Sequence, residues 1–210
     1  MFSLVKVGEN YWNFFDDIHD FCVRAVSELR TDKRNVEQTI NNMQYKDWKN
    51  NNSCLLYRTY VKFDYSNDKG MLYLLYQDDK IVAVSAVVRY DENIVVLCKR
   101  TYLMNDVKGK AFTHEYFIEP QISWAKEKGF KAGIFLMNEY MKPLYLMLKR
   151  ASEGKGFQLG VPKYDRCKDF ICLGGPYEIY NTSQYIILYK INNFSDGEVE
   201  TWKNSLKLMK

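Results

Sequence analysis

Three apolar, β-branched segments follow one another almost without interruption, and they constrain the fold more than any other feature of the chain. They are Met71–Gln77, Ile81–Tyr90 and Asn93–Leu103, separated by Asp78-Asp79-Lys80 and by Asp91-Glu92. Polar linkers of this length are short enough to be hairpin turns between strands. The sequence therefore predicts an antiparallel meander of three strands.

Segments on either side of the meander show helical or strand periodicity. Before it, the pattern predicts a strand at Phe2–Val7, an amphipathic helix at Tyr11–Leu29, a second helix at Asp32–Trp48 and a further strand at Leu55–Phe63. After it, the pattern predicts a helix at Gly109–Lys128, a buried strand at Ala132–Met137, a helix at Tyr140–Ala151 and two late strands at Asp169–Leu173 and Gln184–Ile191.

Proline and glycine mark the breaks among these later elements. Pro120 is expected to kink or split its helix, and Gly129 to end it as a C-cap. Gly174-Gly175-Pro176 and a polar loop are expected to join the last two strands. The predicted fold class is α/β (α+β): a mixed, mostly antiparallel twisted sheet flanked by helices, whose two halves splay apart around a central cleft.

The length of 210 residues fits one domain, predicted over residues 1–191. Residues 192–210 form a polar C-terminal tail, with a helix predicted at Val199–Met209. The N-terminus lacks the features of a signal peptide, no apolar run reaches the ~18 residues of a membrane span, and five cysteines at irregular spacings resemble reduced thiols. These observations predict a cytoplasmic protein without membrane attachment.

Charge and residue types exclude several classes of function. The net charge of +4 permits an anionic ligand, but no Lys/Arg block of the kind that follows a nucleic acid backbone is present. Two histidines cannot build a His-rich metal site, and Cys167 and Cys172 lack zinc-ribbon spacing, so no metal is expected. The sequence also lacks the nucleophile motif of serine hydrolases and the phosphate-binding loop of P-loop NTPases.

One stretch has the features of a phosphate site. Gly109 follows the third strand of the meander and opens the next predicted helix, where backbone N–H groups and the positive end of the helix dipole meet. Between Lys99 and Lys110 the chain carries four cations and one acid, a local charge of +3. The alternative for this stretch is an ordinary strand-to-helix turn with solvated lysines.

The order of elements over Phe2–Ile191, together with two motifs, resembles the GNAT superfamily, the GCN5-related N-acetyltransferases. Asp106-Val107-Lys108-Gly109-Lys110-Ala111 matches the glycine and alanine positions of the family's acyl-CoA signature, Arg/Gln-x-x-Gly-x-Gly/Ala. Asp106 stands where the family has Arg or Gln. Asn138 ends the following strand and Tyr145 comes seven residues later, which is the family's second pattern.

The resemblance implies an acyltransferase that uses acetyl-CoA as co-substrate and a primary amine as acceptor. It assigns cofactor binding to the main chain of Arg100, Thr101, Tyr102 and Leu103, to the loop Asp106, Val107, Lys108, Gly109, Lys110 and Ala111, and to Asn138. Tyr145 is the implied general acid, which protonates the leaving thiolate; alternatively, it is a core aromatic. The span Ile94–Leu103 contains no carboxylate, so no general base is assigned.

A second function stays open beside the enzyme. The same fold could serve as a catalytically degenerate binding module for a protein, a peptide or an RNA, and Asp106 and the missing base favour that alternative. Aromatic residues of the second segment then line a partner surface, a substrate pocket or simply the core: Tyr45, Trp48, Tyr57 and Tyr60. His114 either touches cofactor phosphate or is a solvated surface residue. Free sheet edges in such folds often pair, which makes a homodimer one expectation.

Overall fold

The computed structural model of the chain describes residues 1–8, 11–29, 68–107, 114–153 and 170–208. The chain divides into two compact units, one of Met1–Val88 with Cys98–Gln121 and the other of Arg89–Leu97 with Ile122–Lys210. The predicted helix Asp32–Trp48 and the predicted strand Leu55–Phe63 lie outside the described residues, as do the aromatic residues of that segment.

The first unit contains the predicted meander. Strand β1 (Phe2–Val7) pairs antiparallel with β2 (Gly70–Gln77), and β2 pairs antiparallel with β3 (Lys80–Arg89). The next strand in the order is β4 (Ile94–Leu103), whose second half belongs to this unit. Asp78 takes a left-handed conformation, φ 55°, in the tight turn between β2 and β3. The three predicted strands are confirmed, each to within one residue at its ends.

Helix α1 (Phe15–Leu29) packs in the first unit after a single 3-10 turn, Tyr11–Phe14. Its buried side chains recur every three or four positions, which is the helical period: Ile18, Phe21, Cys22 and Ala25. Arg24 of α1 donates to the Ile81 carbonyl of β3 at 2.7 Å. The predicted amphipathic helix is therefore confirmed, and its apolar stripe forms part of this unit's core.

The second unit is built around a short central strand. In it, β4 pairs in parallel with β5 (Ala132–Met137) through three residue pairs, Ile94–Val96 with Ala132–Ile134. On its other side β5 pairs antiparallel with β7 (Thr182–Lys190), and β7 pairs antiparallel with β6 (Phe170–Ile179). Four of the six residues of β5 are buried, which confirms the prediction of a buried central strand.

A π-helical turn at His114–Ile118 runs directly into helix α2 (Glu119–Glu127). Pro120 lies in the first turn of α2, where proline is tolerated. The sequence predicts that Pro120 kinks or splits the helix Gly109–Lys128; the helix type changes next to it, but the helical turns continue without a break over residues 114–127. The start of that predicted helix, residues 109–113, lies outside the described residues. Gly129 ends the helix at φ 80°, and its N–H donates to the Lys126 carbonyl at 3.1 Å, as expected of a C-cap.

Two further helices belong to the second unit, α3 (Lys142–Ser152) and α4 (Asp196–Ser205). Helix α4 begins with a capping box, in which the Ser195 side chain accepts from the Glu198 N–H and the Glu198 carboxylate accepts from the Ser195 N–H. This helix lies in the predicted tail, but it begins and ends a few residues earlier than the predicted Val199–Met209. The domain limits of 1–191 and 192–210 stay a prediction.

The predicted loop through Gly174-Gly175-Pro176 is wrong, because these residues lie inside β6. The hairpin turn falls instead at Tyr180 and Asn181, which both adopt left-handed conformations, φ 52° and 58°. Gly175 has φ 144°, and a Cβ atom there would lie 2.7 Å from the Gln184 carbonyl oxygen. The glycines are therefore required by close approach of the neighbouring strand and by the irregular register of β6, and they do not mark a chain reversal.

The fold class is confirmed. The described residues contain seven strands and four α-helices, and the sheet is mixed and mostly antiparallel with helices flanking it. The β1–β2, β2–β3, β5–β7 and β6–β7 pairs are antiparallel, and the β4–β5 pair is parallel.

Gly133 of β5 provides a test of how tightly the second unit is packed. A Cβ atom added at Gly133 would lie 2.7 Å from Cγ of Leu97, whose side chain is 2% exposed. Because the buried leucine has little room to move, Gly133→Ala should lower the free energy of unfolding by about 1–3 kcal/mol. Urea denaturation followed by circular dichroism measures the change.

Gly197→Ala is the matched control, since a Cβ atom at this exposed position of α4 meets nothing within 4 Å. Alanine there should leave stability unchanged or raise it by about 0.4–1 kcal/mol. Equal unfolding midpoints for the two variants would show that β5 does not pack against Leu97 as described.

Candidate functional site

The predicted site residues fall in both units, and each group is described within its own unit. Arg100–Leu103 form the end of β4 in the first unit, followed by Asp106 and Val107. Asn138 and Tyr145 belong to the second unit. Outside the described part of the chain lie Lys108, Gly109, Lys110 and Ala111 and the side chains of Arg100 and His114.

A tight turn carries the first unit's chain from β4 into the predicted phosphate loop. The Met104 N–H donates to the Val82 carbonyl at 2.9 Å, and the Val107 N–H donates to the Met104 carbonyl at 3.1 Å. The Glu28 carboxylate of α1 accepts from the Asn105 N–H at 2.8 Å. Val107 is buried, whereas Asp106 is exposed. The start of the loop is therefore anchored, with the Asp106 side chain on its solvated side.

Tyr102 also bonds the Glu28 carboxylate, which accepts from the Asn105 N–H. Its hydroxyl donates to Glu28 at 3.3 Å, and its ring packs edge-on against Phe21 of α1. Burial and the charge of Glu28 raise the pKa of the Tyr102 phenol, so it stays a donor. The Tyr102 side chain therefore serves to fix the end of β4 onto α1, while its main chain stays the part predicted to bind cofactor.

An unusual backbone conformation interrupts β4 at Cys98. Its φ is 51°, in the left-handed region, which costs a non-glycine residue on the order of 1–2 kcal/mol. The Cys98 N–H donates to Oε1 of Gln121 at 2.7 Å, and the Cys98 carbonyl accepts from the Thr101 hydroxyl at 2.8 Å. Side chains thus satisfy both backbone groups at the point where the regular strand is interrupted.

The network around Cys98 is buried and complete. Gln121 of α2 donates through Nε2 to the Ser85 hydroxyl at 2.8 Å, and the Ser85 and Thr101 hydroxyl oxygens lie 2.6 Å apart. Ser85 and Gln121 are both 0% exposed. Tyr73 fixes the first turn of α2 by donating to the Pro120 carbonyl at 3.0 Å. Desolvation raises the pKa of the Cys98 thiol to about 12, which keeps it neutral.

Tyr145 of α3 is a buried tyrosine of the second unit. Its side chain is 3% exposed and packs with Met137, Ile187 and Tyr185, whose ring centroid lies 5.2 Å from its own. Among the described residues its hydroxyl has no hydrogen-bond partner. The Gly174 backbone lies close enough to lower the pKa of the Tyr145 phenol, but it does not meet the distance and angle of a hydrogen bond. Burial and then the neighbouring Cys172 raise the pKa of the Tyr145 phenol, so it stays protonated.

A second buried tyrosine of the same unit shows the usual arrangement. The Tyr177 hydroxyl of β6 donates to the Leu173 carbonyl at 3.0 Å, and the residue is 6% exposed. A buried hydroxyl without such a bond costs about 1–3 kcal/mol. Tyr145 therefore retains a donor that its described surroundings do not use.

Asn138 is exposed and caps the 3-10 turn Glu139–Met141 that precedes α3. Its Oδ1 accepts from the Met141 N–H at 3.2 Å. The side-chain oxygen is therefore engaged in setting the direction of the chain that leads to Tyr145. Its assignment to cofactor binding stays a prediction.

Three polar residues of the first unit were not predicted from the sequence, namely Glu28, Ser85 and Gln121. For two of them a signal was present. Gln121 follows Ile118 by three positions and precedes Ile122 and Ala125 on the apolar side of the predicted helix, and Ser85 interrupts the apolar run of β3. A polar residue at a core position requires a buried hydrogen-bond partner, which a single sequence does not identify.

The described residues lack two further kinds of feature, a metal-binding cluster and a membrane-spanning helix. No group of three or more His, Cys, Asp or Glu side chains in this part of the chain is arranged to hold a metal ion. No helix there combines the length and apolar character needed to cross a membrane.

No protein-family model matches the sequence, and no curated protein matches it either. Solved structures do share its fold. An acetyltransferase of the GNAT family from Streptococcus pneumoniae aligns with 91% of this chain and 100% of its own at 10% identity, with a TM-score of 0.51. A proposed N-acetyltransferase from Lactobacillus plantarum aligns with 91% of this chain and 99% of its own at 12% identity, with a TM-score of 0.50.

A third similar structure is an N-acetyltransferase from Thermoplasma acidophilum in complex with coenzyme A. It is 9% identical and covers 90% of this chain and 99% of its own, with a TM-score of 0.47. At identities this low the likeness concerns the fold alone.

The unpartnered hydroxyl of Tyr145 leads to a prediction about stability. Tyr145→Phe removes a buried polar group without creating a large cavity, so it should leave the free energy of unfolding unchanged or raise it by about 1 kcal/mol. Tyr177→Phe, the matched control, loses a buried hydrogen bond and should lower it by about 1 kcal/mol. Urea denaturation of the purified variants measures both.

A loss in Tyr145→Phe as large as that in Tyr177→Phe would contradict this description. It would mean that a residue outside the described part of the chain satisfies the Tyr145 hydroxyl.

Proposed function

We propose that this chain, which has the fold of the GNAT acetyltransferases, transfers an acetyl group from acetyl-CoA to a primary amine by direct attack. The observation that carries the proposal is the buried hydroxyl of Tyr145, which has no hydrogen-bond partner among the described residues and stands at the position where the resemblance expects a general acid. The reactive group supplied by acetyl-CoA is a thioester, whose leaving thiolate requires a proton. An orphaned phenol donor fits that requirement.

Cofactor binding is assigned to the first unit. Backbone N–H groups of the loop that follows Val107, up to Ala111, bind the pyrophosphate, whereas the Val107 N–H is already used on the Met104 carbonyl. The main chain of Arg100–Leu103 pairs with the pantetheine amides as an added strand would. The anchored turn at Met104–Val107 and the positive local charge support this assignment. A backbone N–H of the same β4 segment polarises the thioester carbonyl.

Proton transfer is assigned to Tyr145. The amine nitrogen forms the new bond to the acetyl carbon, the carbon–sulfur bond breaks, and the phenol gives its proton to the sulfur; solvent then reprotonates the phenolate. Because burial raises the pKa of Tyr145, the phenol is protonated throughout the neutral range and ready to act as an acid. The proton lost by the amine passes to a water relay, or the amine enters neutral.

A second candidate function is a binding module with the same fold that does not catalyse acetyl transfer. Asp106 favours it, because a carboxylate stands where the family's signature has Arg or Gln. The absence of an acid from Ile94–Leu103 favours it as well. Such a module would bind a protein, a peptide or an RNA and would have no affinity for acetyl-CoA. A cytoplasmic location and a homodimer stay predictions for either function.

Titration with acetyl-CoA in a calorimeter separates the two functions. The wild-type protein should bind acetyl-CoA at micromolar concentrations, and Gly109→Trp should abolish binding because its side chain blocks the backbone from the pyrophosphate. Gly197→Ala, an exposed glycine substitution in α4, is the control and should bind like wild type. Absence of binding at millimolar acetyl-CoA would overturn the enzyme proposal and favour the binding module.

The role of Tyr145 is tested by turnover. Release of coenzyme A is followed by mass spectrometry with a panel of amines: a lysine peptide, a peptide N-terminus, a polyamine and an aminoglycoside. Tyr145→Phe should lower kcat by about 10²-fold or more, as loss of a general acid does, with acetyl-CoA affinity unchanged. Tyr177→Phe should keep wild-type kcat. Wild-type kcat in Tyr145→Phe would exclude proton donation by this residue.

A further inference from the structure

We propose that Gln121 is a positioning residue: it holds β4 in its left-handed bend at Cys98 and so sets the main chain that receives the cofactor. The inference rests on the proposed function, because it concerns how Arg100–Leu103 are presented to acetyl-CoA. Gln121 itself need not touch the substrate. Its action passes through Cys98, two residues before that segment.

The hydrogen bonds around Cys98 close into a ring. Cys98 N–H donates to Gln121, Gln121 Nε2 donates to Ser85, and Thr101 donates to the Cys98 carbonyl. Since the Thr101 proton is used on that carbonyl, the Ser85 hydroxyl is the donor in the 2.6 Å Ser85–Thr101 contact. Every member then both donates and accepts in one direction around the ring, which strengthens each bond.

This ring leaves Gln121 a single orientation. Its amide oxygen must face the Cys98 N–H, and its amide nitrogen must face Ser85. The residues come from three elements, namely β3 for Ser85, β4 for Cys98 and Thr101, and α2 for Gln121. The left-handed backbone is therefore fixed from both sides, by its N–H and by its carbonyl.

The chain at Pro120, within the first unit, is fixed by a bond outside the ring. Tyr73 of β2 is fully buried and donates to the Pro120 carbonyl, one residue before Gln121. Gln121 is therefore held close to β2 by a contact that does not depend on Cys98, and a residue held in this way can fix the position of the Cys98 N–H.

Glycine at position 98 supplies the test. Glycine adopts φ near 51° without steric cost, so it keeps the bend with less help from Gln121. Gln121→Met, which keeps the side-chain volume, should raise the acetyl-CoA Kd by about tenfold, the equivalent of one buried hydrogen bond. The same substitution in a Cys98→Gly background should raise it by less than about threefold. Calorimetry measures all four proteins.

One control variant separates positioning from general destabilisation, and one replacement variant keeps the test possible if Gln121→Met does not fold. Tyr177→Phe, in the second unit, also loses a buried hydrogen bond and should lower the thermal midpoint without changing the acetyl-CoA Kd. If Gln121→Met does not fold, Ser85→Ala opens the same ring at its far side and replaces it in both backgrounds. Ser85→Ala should also raise the acetyl-CoA Kd, and the Cys98→Gly background should again reduce that increase.

The outcomes are distinct. Wild-type protein that does not bind acetyl-CoA overturns the proposed function, and this inference with it. Wild-type binding that is unchanged in Gln121→Met overturns this inference alone. An equal loss of affinity in the wild-type and Cys98→Gly backgrounds also overturns it, because Gln121 would then act without regard to the bend.

Discussion

A backbone N–H that leaves its strand ladder inside a protein needs a new acceptor, and at Cys98 that acceptor is the side chain of Gln121. This bond stabilises the left-handed conformation that bends β4 just before Arg100–Leu103. Without it, the left-handed conformation would carry both its steric cost and that of an unsatisfied buried donor, and regular strand geometry would be favoured over the bend. The bond also explains why a fully buried glutamine is present in α2, since its polar atoms are matched one to one by Cys98 and Ser85. The left-handed bend of β4 is therefore stabilised by side chains of α2 and β3 together with Thr101 of β4 itself.

Tyr145 carries a buried polar group that, unlike Gln121, has no hydrogen-bond partner among the described residues. In the first unit, Ser85, Thr101 and Gln121 satisfy one another, and in the second unit Tyr177 bonds the Leu173 carbonyl. The Tyr145 hydroxyl has no partner among the described residues, although Tyr145 is as buried as Tyr177 of the same unit. The other buried hydroxyls of the described residues are hydrogen-bonded, so the open hydroxyl of Tyr145 is a local loss of stability. Such a loss is typical of functional sites, where the missing partner is an atom of the substrate.

Local periodicity predicted most of the described fold. The meander, α1 and the central strand β5 all have patterns of buried residues that repeat along the chain, so their type and ends follow from the sequence. The Gly174-Gly175-Pro176 segment differs from the prediction because Gly175 is required by a long-range contact, the approach of Gln184 on the neighbouring strand, and Gly174 by its positive φ inside the strand, not by a local turn. In the candidate site, Tyr145 and the loop were predicted from spacing and resemblance. Gln121 and Ser85 were not predicted, because their role depends on hydrogen bonds between distant parts of the chain. Gln121 lies 36 residues from Ser85 and 23 residues from Cys98.

Asp106 is the strongest argument against cofactor binding, but the exposure of its side chain to solvent weakens that argument. A carboxylate next to a pyrophosphate is costly when both are buried, because repulsion is strong where water is excluded. Val107, the next residue, is buried and bonded to Met104, and this anchors the turn with Asp106 exposed. Water and salt screen a charge in that position. Lys99, Arg100, Lys108 and Lys110 surround it in sequence and leave the stretch with a charge of +3. The departure from the family's signature therefore replaces a side chain that could bind phosphate without reversing the sign of the local charge.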